Sequence, residues 1–438
     1  MPDRRERAQV RRMPKRILIV DFTTHHPEVV RALLTLFGPH RVRLAVTASF
    51  SEKYLAAGGD DALVATDPLV RSRDEPEEAW LARLAEVVRD QDLVLVSTPI
   101  KNSLLARTLD LATSARKVLF LHNVNYFLDL EPLDLALFAR LRAPGRPPFL
   151  QWPAWLLERR KQRRKAAKLR RAGADFAALD SKVDFYCFGS DSVARYFEQR
   201  SGRTNTTILP TNTAILPTNT AILRTNASFR GAPCHPDYRG CLHVAIIGTL
   251  SQLRKDYRGV LTALIAADLR RPVILSLLGR CPDAAFGLEL AALVASNTNR
   301  QLEIRFDPTR RYISTATLFE LLQDVHVLLN PAQPDTEFRM HREVYGLSKV
   351  SGAEGDCLAY GRPLLLPRSY VCARYAEPLT IQYEGLREMV AMIDDLNDAA
   401  TLRSLHVRVY DAIASDIPSG LAASFLEKVL PGAAAVNA

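Results

Sequence analysis

Short apolar runs alternate with longer amphipathic stretches along most of this chain, and the alternation stops once, at a tandem repeat, before it starts again. Residues 17–22, 42–46, 93–97, 118–122 and 185–188 are apolar runs of strand length. Between them, residues 28–37, 77–89, 103–111 and 133–141 space apolar side chains three and four apart, as one face of a helix requires. Parallel strands cannot be joined by a tight turn, and a helical crossover packed on the sheet buries both of their faces. The pattern therefore predicts a doubly wound α/β unit. After the repeat, runs at 243–250, 273–278, 302–306, 325–330 and 363–366 alternate with helical patterns at 257–267, 284–295, 314–322 and 352–360, so the chain builds a second unit of the same class.

The repeat spans residues 204–226 and contains Thr-Asn-Thr-Thr-Ile-Leu-Pro, then Thr-Asn-Thr-Ala-Ile-Leu-Pro, then Thr-Asn-Thr-Ala-Ile-Leu-Arg. Each unit is too small to stack into a core, so the segment reads as an interdomain connection. With 438 residues, 47% hydrophobic and 24% charged, the chain is long and apolar enough for two cores. The predicted organisation is a basic leader at 1–15, a first domain at 16–203 and a connection at 204–240. A second domain follows at 241–415, then a C-terminal helix and tail at 416–438 returning to the first domain. Six scattered cysteines lack metal-ligand spacing and read as reduced thiols. No apolar run approaches the roughly 20 residues of a membrane span, which predicts a cytoplasmic protein, peripheral at the inner membrane face.

The second unit carries the strongest local signal. Ser351 and Glu354 stand three apart, as in a capping box, so a helix starts at Ser351, with Gly352 leaving its backbone open and Lys349 just ahead. Free N–H groups, the positive end of a helix dipole and an ammonium together suit a phosphate or diphosphate. An ordinary capped helix leading into a core strand accounts for the same residues. The first strand is followed by Thr23-Thr24-His25-His26-Pro27-Glu28 rather than G-x-G-x-x-G, so no dinucleotide is expected there.

Net charge is +10, and its densest part is a predicted basic helix at 155–171, where nine of the thirteen residues from 159 to 171 are Lys or Arg. Trp152, Trp155, Leu156 and Leu157 stand at its start. Aromatic and apolar residues beside a polybasic helix favour an anionic membrane surface over nucleic acid, and a solvated helix is the plain alternative.

With these residues in view, the second unit resembles the donor domain of GT-B glycosyltransferases. Residues 248–257, Gly-Thr-Leu-Ser-Gln-Leu-Arg-Lys-Asp-Tyr, are similar to that domain's glycine, basic loop and helix opening. Ser351-Gly352, then Asp356 and Gly361-Arg362-Pro363, resemble its nucleotide-sugar motif. The resemblance implies the GT-B fold, two Rossmann-like domains facing across a cleft. It implies a nucleoside diphosphate-sugar held mainly by the second domain, through Gly248, Thr249, Arg254, Lys255, Lys349, Ser351 and Gly352, with Asp356 on the ribose. One departure is plain: where retaining relatives carry a glutamate eight residues before this acid, Ser348 stands.

Loss of a nucleoside diphosphate develops charge on phosphate oxygens, which Arg254, Lys255, Lys349 and the helix terminus would stabilise in place of a metal ion or other cofactor. An acceptor hydroxyl would give up its proton at a strand end of the first domain, where Asp21, His25, His26 and His122 are available and His122 is preferred, with Asp21 beside it. Residues 333–346 read as a long loop at the ligand edge, with Arg339, His341 and Arg342 as lid residues. The expected activity is transfer of a sugar to a glycan, lipid-linked or small-molecule acceptor. The alternatives are a nucleotide-sugar epimerase of the same fold and a non-catalytic binding protein docking on membrane or nucleic acid.

Overall fold

A computed structural model of the chain describes residues 16–23, 27–38, 41–56, 66–129, 131–142, 147–209, 238–309, 313, 315–414 and 424–430. The strands of the first half are β1 Ile17–Asp21, β2 Val42–Thr47, β3 Leu69–Arg71, β4 Leu93–Val96, β5 Arg116–Phe120, β6 Phe185–Phe188 and β7 Thr206–Ile208. They form one sheet in the order β3-β2-β1-β4-β5-β6-β7, parallel throughout. The second half contributes β8 Leu242–Ile247, β9 Val273–Leu278, β10 Leu302–Phe306, β11 Val327–Leu329, β12 Asp335–Phe338, β13 His341–Val344, β14 Leu364–Pro367 and β15 Thr380–Tyr383. Six of these form a second parallel sheet, β10-β9-β8-β11-β14-β15, while β12 and β13 pair separately as an antiparallel hairpin.

Each sheet is buried on both faces. In β1, Leu18 and Val20 pack with Trp80, Leu84 and Leu105, and Ile17 and Ile19 pack with Val30, Leu33 and Leu34. Burying each such side chain is worth about 1.5–3 kcal/mol, which is why these runs read so clearly in sequence. In both sheets the chain first winds one way and then the other, switching between β1 and β4 and between β8 and β11. Loops leaving the carboxyl ends of strands at such a point form a crevice.

Two segments differ from the sequence expectation. The first repeat unit does not leave the first sheet, because Thr206, Thr207 and Ile208 pair with Tyr186, Cys187 and Phe188 as its edge strand. Its β-branched side chains suit a pleated surface. Residues 333–346 are not an open loop but the β12–β13 hairpin. Its turn residues Arg339 and Met340 both adopt left-handed backbone, with φ of 50° and 66°. That geometry disfavours non-glycine residues, and it is held because Met340 is buried among Leu133, Phe138, Leu141 and Trp155 of the first half. Phe425, Val429 and Leu430 return to the core of the first half, with the Phe425 ring 5.7 Å from Phe37. Residues 1–15, His25, His26 and the last two repeat units lie outside the described residues.

Candidate functional site

The loops after β8 and β9 are locked together by two glycines. Gly248 has φ 101°, and a Cβ on Gly279 would stand 1.7 Å from the Gly248 carbonyl oxygen. Leu250 N–H donates to Arg280 O at 2.9 Å, so residues 249–254 run alongside Arg280. The backbone then turns back to the end of β11. Asp256 N–H donates to Pro331 O at 2.8 Å, and Gln333 N–H to Arg254 O at 2.9 Å.

This path leaves Arg254 exposed and turns Lys255 inward, where its Nζ donates to the Ile247 carbonyl at the end of β8. Burial lowers the Lys255 ammonium to about 8; the Asp356 carboxylate opposes that shift and Arg254 reinforces it. Lys349 is treated in the same way. Its Nζ lies 5.4 Å from the centre of the Phe338 ring and 5.7 Å from that of Tyr345, and burial followed by repulsion from Arg254 lowers it to about 8, against the pull of Glu343 and Glu337. Arg254, Lys255 and Lys349 therefore share one electrostatic neighbourhood, and Asp356 belongs to it.

The helix Gly352–Tyr360 opens beside this cluster. Ser351 is its cap, with Oγ accepting Ala353 N–H at 3.3 Å and Asn330 Nδ2 at 3.2 Å, while Ser351 N–H donates to the Tyr370 hydroxyl at 3.0 Å. Gly352 is exposed, with open space where a side chain would stand. The capping box does not close. Glu354 turns inward and accepts Ala373 N–H at 2.7 Å, and burial raises its carboxyl to about 7, so the Ser351 amide is satisfied by Tyr370 instead.

A cavity of about 340 Å³ lies between the halves. Leu141 and Arg142 line it from the first half; Thr249, Arg254, Arg280 and the hairpin residues Glu337, Phe338 and Arg339 line it from the second. Arg142 pairs with Glu337 at 2.6 Å, and Arg339 donates to the Tyr126 hydroxyl at 3.3 Å. Gly248, Lys255, Lys349, Ser351, Gly352 and Asp356 are not part of this wall; they belong to the cluster beside it. Of the remaining hairpin residues, Arg342 pairs outward with Asp335 at 2.6 Å. His341 is buried, with Nδ1 2.9 Å from Arg339 O, its ring edge-on to Tyr126, and its basicity lowered by burial. Neither lines the cavity, and the hairpin is stitched to the first half by Leu133 N–H to Met340 O at 2.8 Å and Asn125 Nδ2 to Arg342 O at 2.8 Å.

Across the cleft, Asp21, Ser97 and His122 form a chain at the carboxyl edge of β1, β4 and β5. Ser97 Oγ donates to Asp21 at 2.6 Å, and His122 Nε2 lies 2.9 Å from Ser97 O. His122 lines a small hollow with Thr98, Asn123, Tyr126 and Phe338. Asp21 is fully buried behind Ser97, also accepts Thr23 N–H at 2.7 Å, and is raised by burial, so it faces no cavity from which to touch a substrate.

Two features escape the sequence reading. Glu343, within the stretch read as a lid, is fully buried and accepts Tyr126 N–H at 2.8 Å, Asn125 N–H at 3.4 Å and Ser348 Oγ–H at 2.5 Å. Ser348, at the place where retaining relatives carry glutamate, thus supports a glutamate five residues earlier that is spent on the first half. The chain also holds one D-x-D triplet, Asp90-Gln91-Asp92, immediately before β4 and hence at the amino edge of the sheet, where Asp92 accepts Arg16 N–H at 2.9 Å. Among the described residues, no group of three or more His, Cys, Asp or Glu converges as a metal site.

No family model and no curated protein matches this sequence. Solved structures do. HepE (Alr3699) of Anabaena in complex with UDP superposes with a TM-score of 0.57 over 94% of this chain and 98% of that one, at 12% identity. The trehalose-6-phosphate synthase OtsA does so with a TM-score of 0.50 over 95% and 99%, at 11% identity. A UDP-GlcNAc 2-epimerase from Neisseria meningitidis reaches only 0.47 over 95% and 99%, at 11% identity, which is too distant to carry an argument. Identity this low speaks to architecture alone, and in architecture the agreement covers nearly the whole of each chain: two Rossmann-like domains facing across a cleft, the GT-B fold.

Proposed function

We propose that this protein is a glycosyltransferase that moves a sugar from a nucleoside diphosphate-sugar to an acceptor. The observation that carries the reading is the convergence of Arg254, Lys255 and Lys349 beside the open start of the Gly352–Tyr360 helix, next to an arginine-lined cavity between the halves. Two lysines held near 8 by burial and by repulsion from Arg254 carry their charge at a cost. A bound diphosphate would relieve that repulsion. As the sugar leaves, charge grows on the diphosphate oxygens, and ammonium, guanidinium and helix-terminal N–H donors stabilise it without reorganising. In this reading Gly248 and Thr249 admit the donor, Asp356 orients the ribose, and no metal ion is required. HepE supports a uridine nucleotide as the first ligand to test, since it is described in complexes with UDP and with UDP-glucose.

His122 is the proposed general base toward the acceptor, with Asp21 acting through Ser97 as a positioning residue. The hairpin, through Arg339, forms a fixed wall of the acceptor side rather than a mobile cover, with His341 and Arg342 outside that wall. A glycan or lipid-linked acceptor fits this reading, as does an anionic membrane surface met through residues 155–171, with nucleic acid disfavoured. No helix among the described residues is long and apolar enough to cross a membrane.

Thermal unfolding with UDP, GDP and ADP, followed by hydrolysis or transfer from the matching nucleotide sugar, tests the proposal. Stabilisation by one nucleotide, with activity lost in Lys349→Ala and Arg254→Ala while the fold is kept, supports it. Full activity in both variants removes the site assignment, and interconversion of the free nucleotide sugar with no transfer makes the protein an epimerase.

A further inference from the structure

The helix Pro148–Arg171 carries a surface that the transferase chemistry does not use. Phe149, Leu150, Trp152, Leu156 and Leu157 are 71%, 62%, 53%, 41% and 71% exposed. Other exposed large apolar side chains among the described residues, Leu55, Leu288, Val371 and Val407, stand apart from one another in sequence. Single exposed apolar residues are ordinary, but five within nine positions of one helix are a patch.

The helix is anchored by its other side. Trp155 and Ala166 are buried, and Trp155 Nε1 donates to Leu133 O at 3.0 Å. At 3.6 residues per turn, Leu150 and Leu157 fall most nearly opposite Trp155, Phe149 and Leu156 stand between, and Trp152 flanks Trp155 at the edge of the outward side. Further along that same outward side come Arg160, Arg163 and Arg164, all exposed, within a run whose only acidic neighbour on the helix is Glu158. Arg160 and Arg164 form no ion pair among the described residues. The outward side is thus divided along its length, apolar over the first turns and cationic beyond them.

We infer that this face docks on an anionic lipid bilayer, the five apolar side chains entering the headgroup–acyl boundary and the arginines behind them meeting lipid phosphates. This goes beyond the charge of residues 155–171 by placing the inserted part at residues 149–157, ahead of the arginines, and it stands whether or not the protein transfers a sugar. Charge complementarity alone would also admit nucleic acid, but a phosphate backbone leaves the five apolar side chains in water. A bilayer satisfies both parts at once. The anchoring side adds a consequence. Trp155 packs with Leu141 and Met340, whose sequence neighbours Arg142 and Arg339 line the cavity between the halves, so the docked helix backs directly onto the wall of the proposed acceptor side.

The test is co-sedimentation of the full chain with vesicles of phosphatidylcholine alone and of phosphatidylcholine mixed with phosphatidylglycerol. Tryptophan emission provides a second readout, because of Trp80, Trp152 and Trp155 only Trp152 is exposed. Binding to the mixed vesicles with a blue shift, lost in Trp152→Phe while binding persists, is expected. The double variant Phe149→Asp/Leu157→Asp is expected to bind at least about tenfold more weakly with unchanged thermal unfolding, since it places charges where apolar area should be buried. Arg160→Glu/Arg164→Glu should abolish the preference for anionic vesicles. No vesicle binding, or undiminished binding by the Asp double variant, overturns the inference. So does self-association that the Asp double variant abolishes in a chain that ignores vesicles, because the patch then belongs to a second copy.

Discussion

The Glu343 carboxylate accepts the backbone N–H of Tyr126 at 2.8 Å, so a side chain of the second half holds the start of a helix in the first. Ser348 donates to the same carboxylate, and Val124 N–H donates to Ser348 O at 2.9 Å, which makes the contact a small network rather than one bond. Glu343→Ala would leave the Tyr126 and Asn125 amides buried without their acceptor. A loss of about 2–4 kcal/mol is expected, read as a lower urea midpoint for the transition that separates the halves.

The same residue gives stability a pH dependence of known sign. Burial raises the Glu343 carboxyl from 4.5 to about 7, so the folded chain holds this proton more tightly than the unfolded chain. Its contribution is complete below about pH 4.5 and is lost as pH rises to about 7, a difference of about 3 kcal/mol at 1.36 kcal/mol per unit. Glu343→Gln, which cannot ionise, should therefore gain on the wild type across that interval. Parallel pH profiles in urea unfolding would contradict the assignment.

Donor affinity should fall on the alkaline side. Burial lowers Lys255 and Lys349 to about 8, so above that pH a diphosphate must bring their protons back as it binds. The dissociation constant for the preferred nucleoside diphosphate is expected to rise by up to about tenfold per pH unit for each lysine involved. Lys349→Arg, charged throughout, should flatten the profile measured by calorimetry between pH 7 and pH 10.

Gly279→Ala tests the loop geometry independently of charge. Its Cβ would stand 1.7 Å from the Gly248 carbonyl oxygen, a backbone atom that cannot swing aside. The loops after β8 and β9 must separate, at a cost of about 1–3 kcal/mol. Nucleotide binding should weaken with the melting temperature, whereas Gly352→Ala, which meets open space, should leave the melting temperature unchanged.

His122→Ala should lower kcat by about 10²–10⁴ while leaving the nucleoside diphosphate affinity intact, if the imidazole takes the acceptor proton. Ser97→Ala should have a smaller effect on kcat and also destabilise the fold, because it removes one of the hydrogen bonds of the buried Asp21 carboxyl. Equal nucleotide-sugar turnover in His122→Ala and wild type would remove His122 from the chemistry.

How much of this was legible in the sequence follows from where each residue finds its partners. Strands such as β6 and β9 match their apolar runs residue for residue, because a strand buried on both faces carries its signal in its own side chains. Leu69–Arg71 and Thr380–Tyr383 do not announce themselves, being short edge strands with mostly half-buried side chains. The hairpin was hidden for a different reason: its charged residues pair with each other and with the first half, so their periodicity resembles that of an exposed loop. Among site residues, Arg254, Lys255, Lys349 and Ser351 follow from position, since carboxyl-end loops of parallel strands converge. Glu343 has no such cue. Its principal partner is a backbone amide 217 positions away, and a backbone amide leaves no trace in residue identity.

The return of Phe425, Val429 and Leu430 to the core around Phe37 changes how the chain is to be divided. Topologically the second half is an insertion, entered after β7 and left before Phe425, rather than the latter part of a tandem pair. A cut within residues 210–237 would produce two fragments, each still holding a piece of the first half. The smaller interlocking piece, a helix turn bearing Phe425, would then act as a non-covalent latch, and truncating the chain before it would open the hydrophobic face of the first sheet although every strand of that sheet is intact.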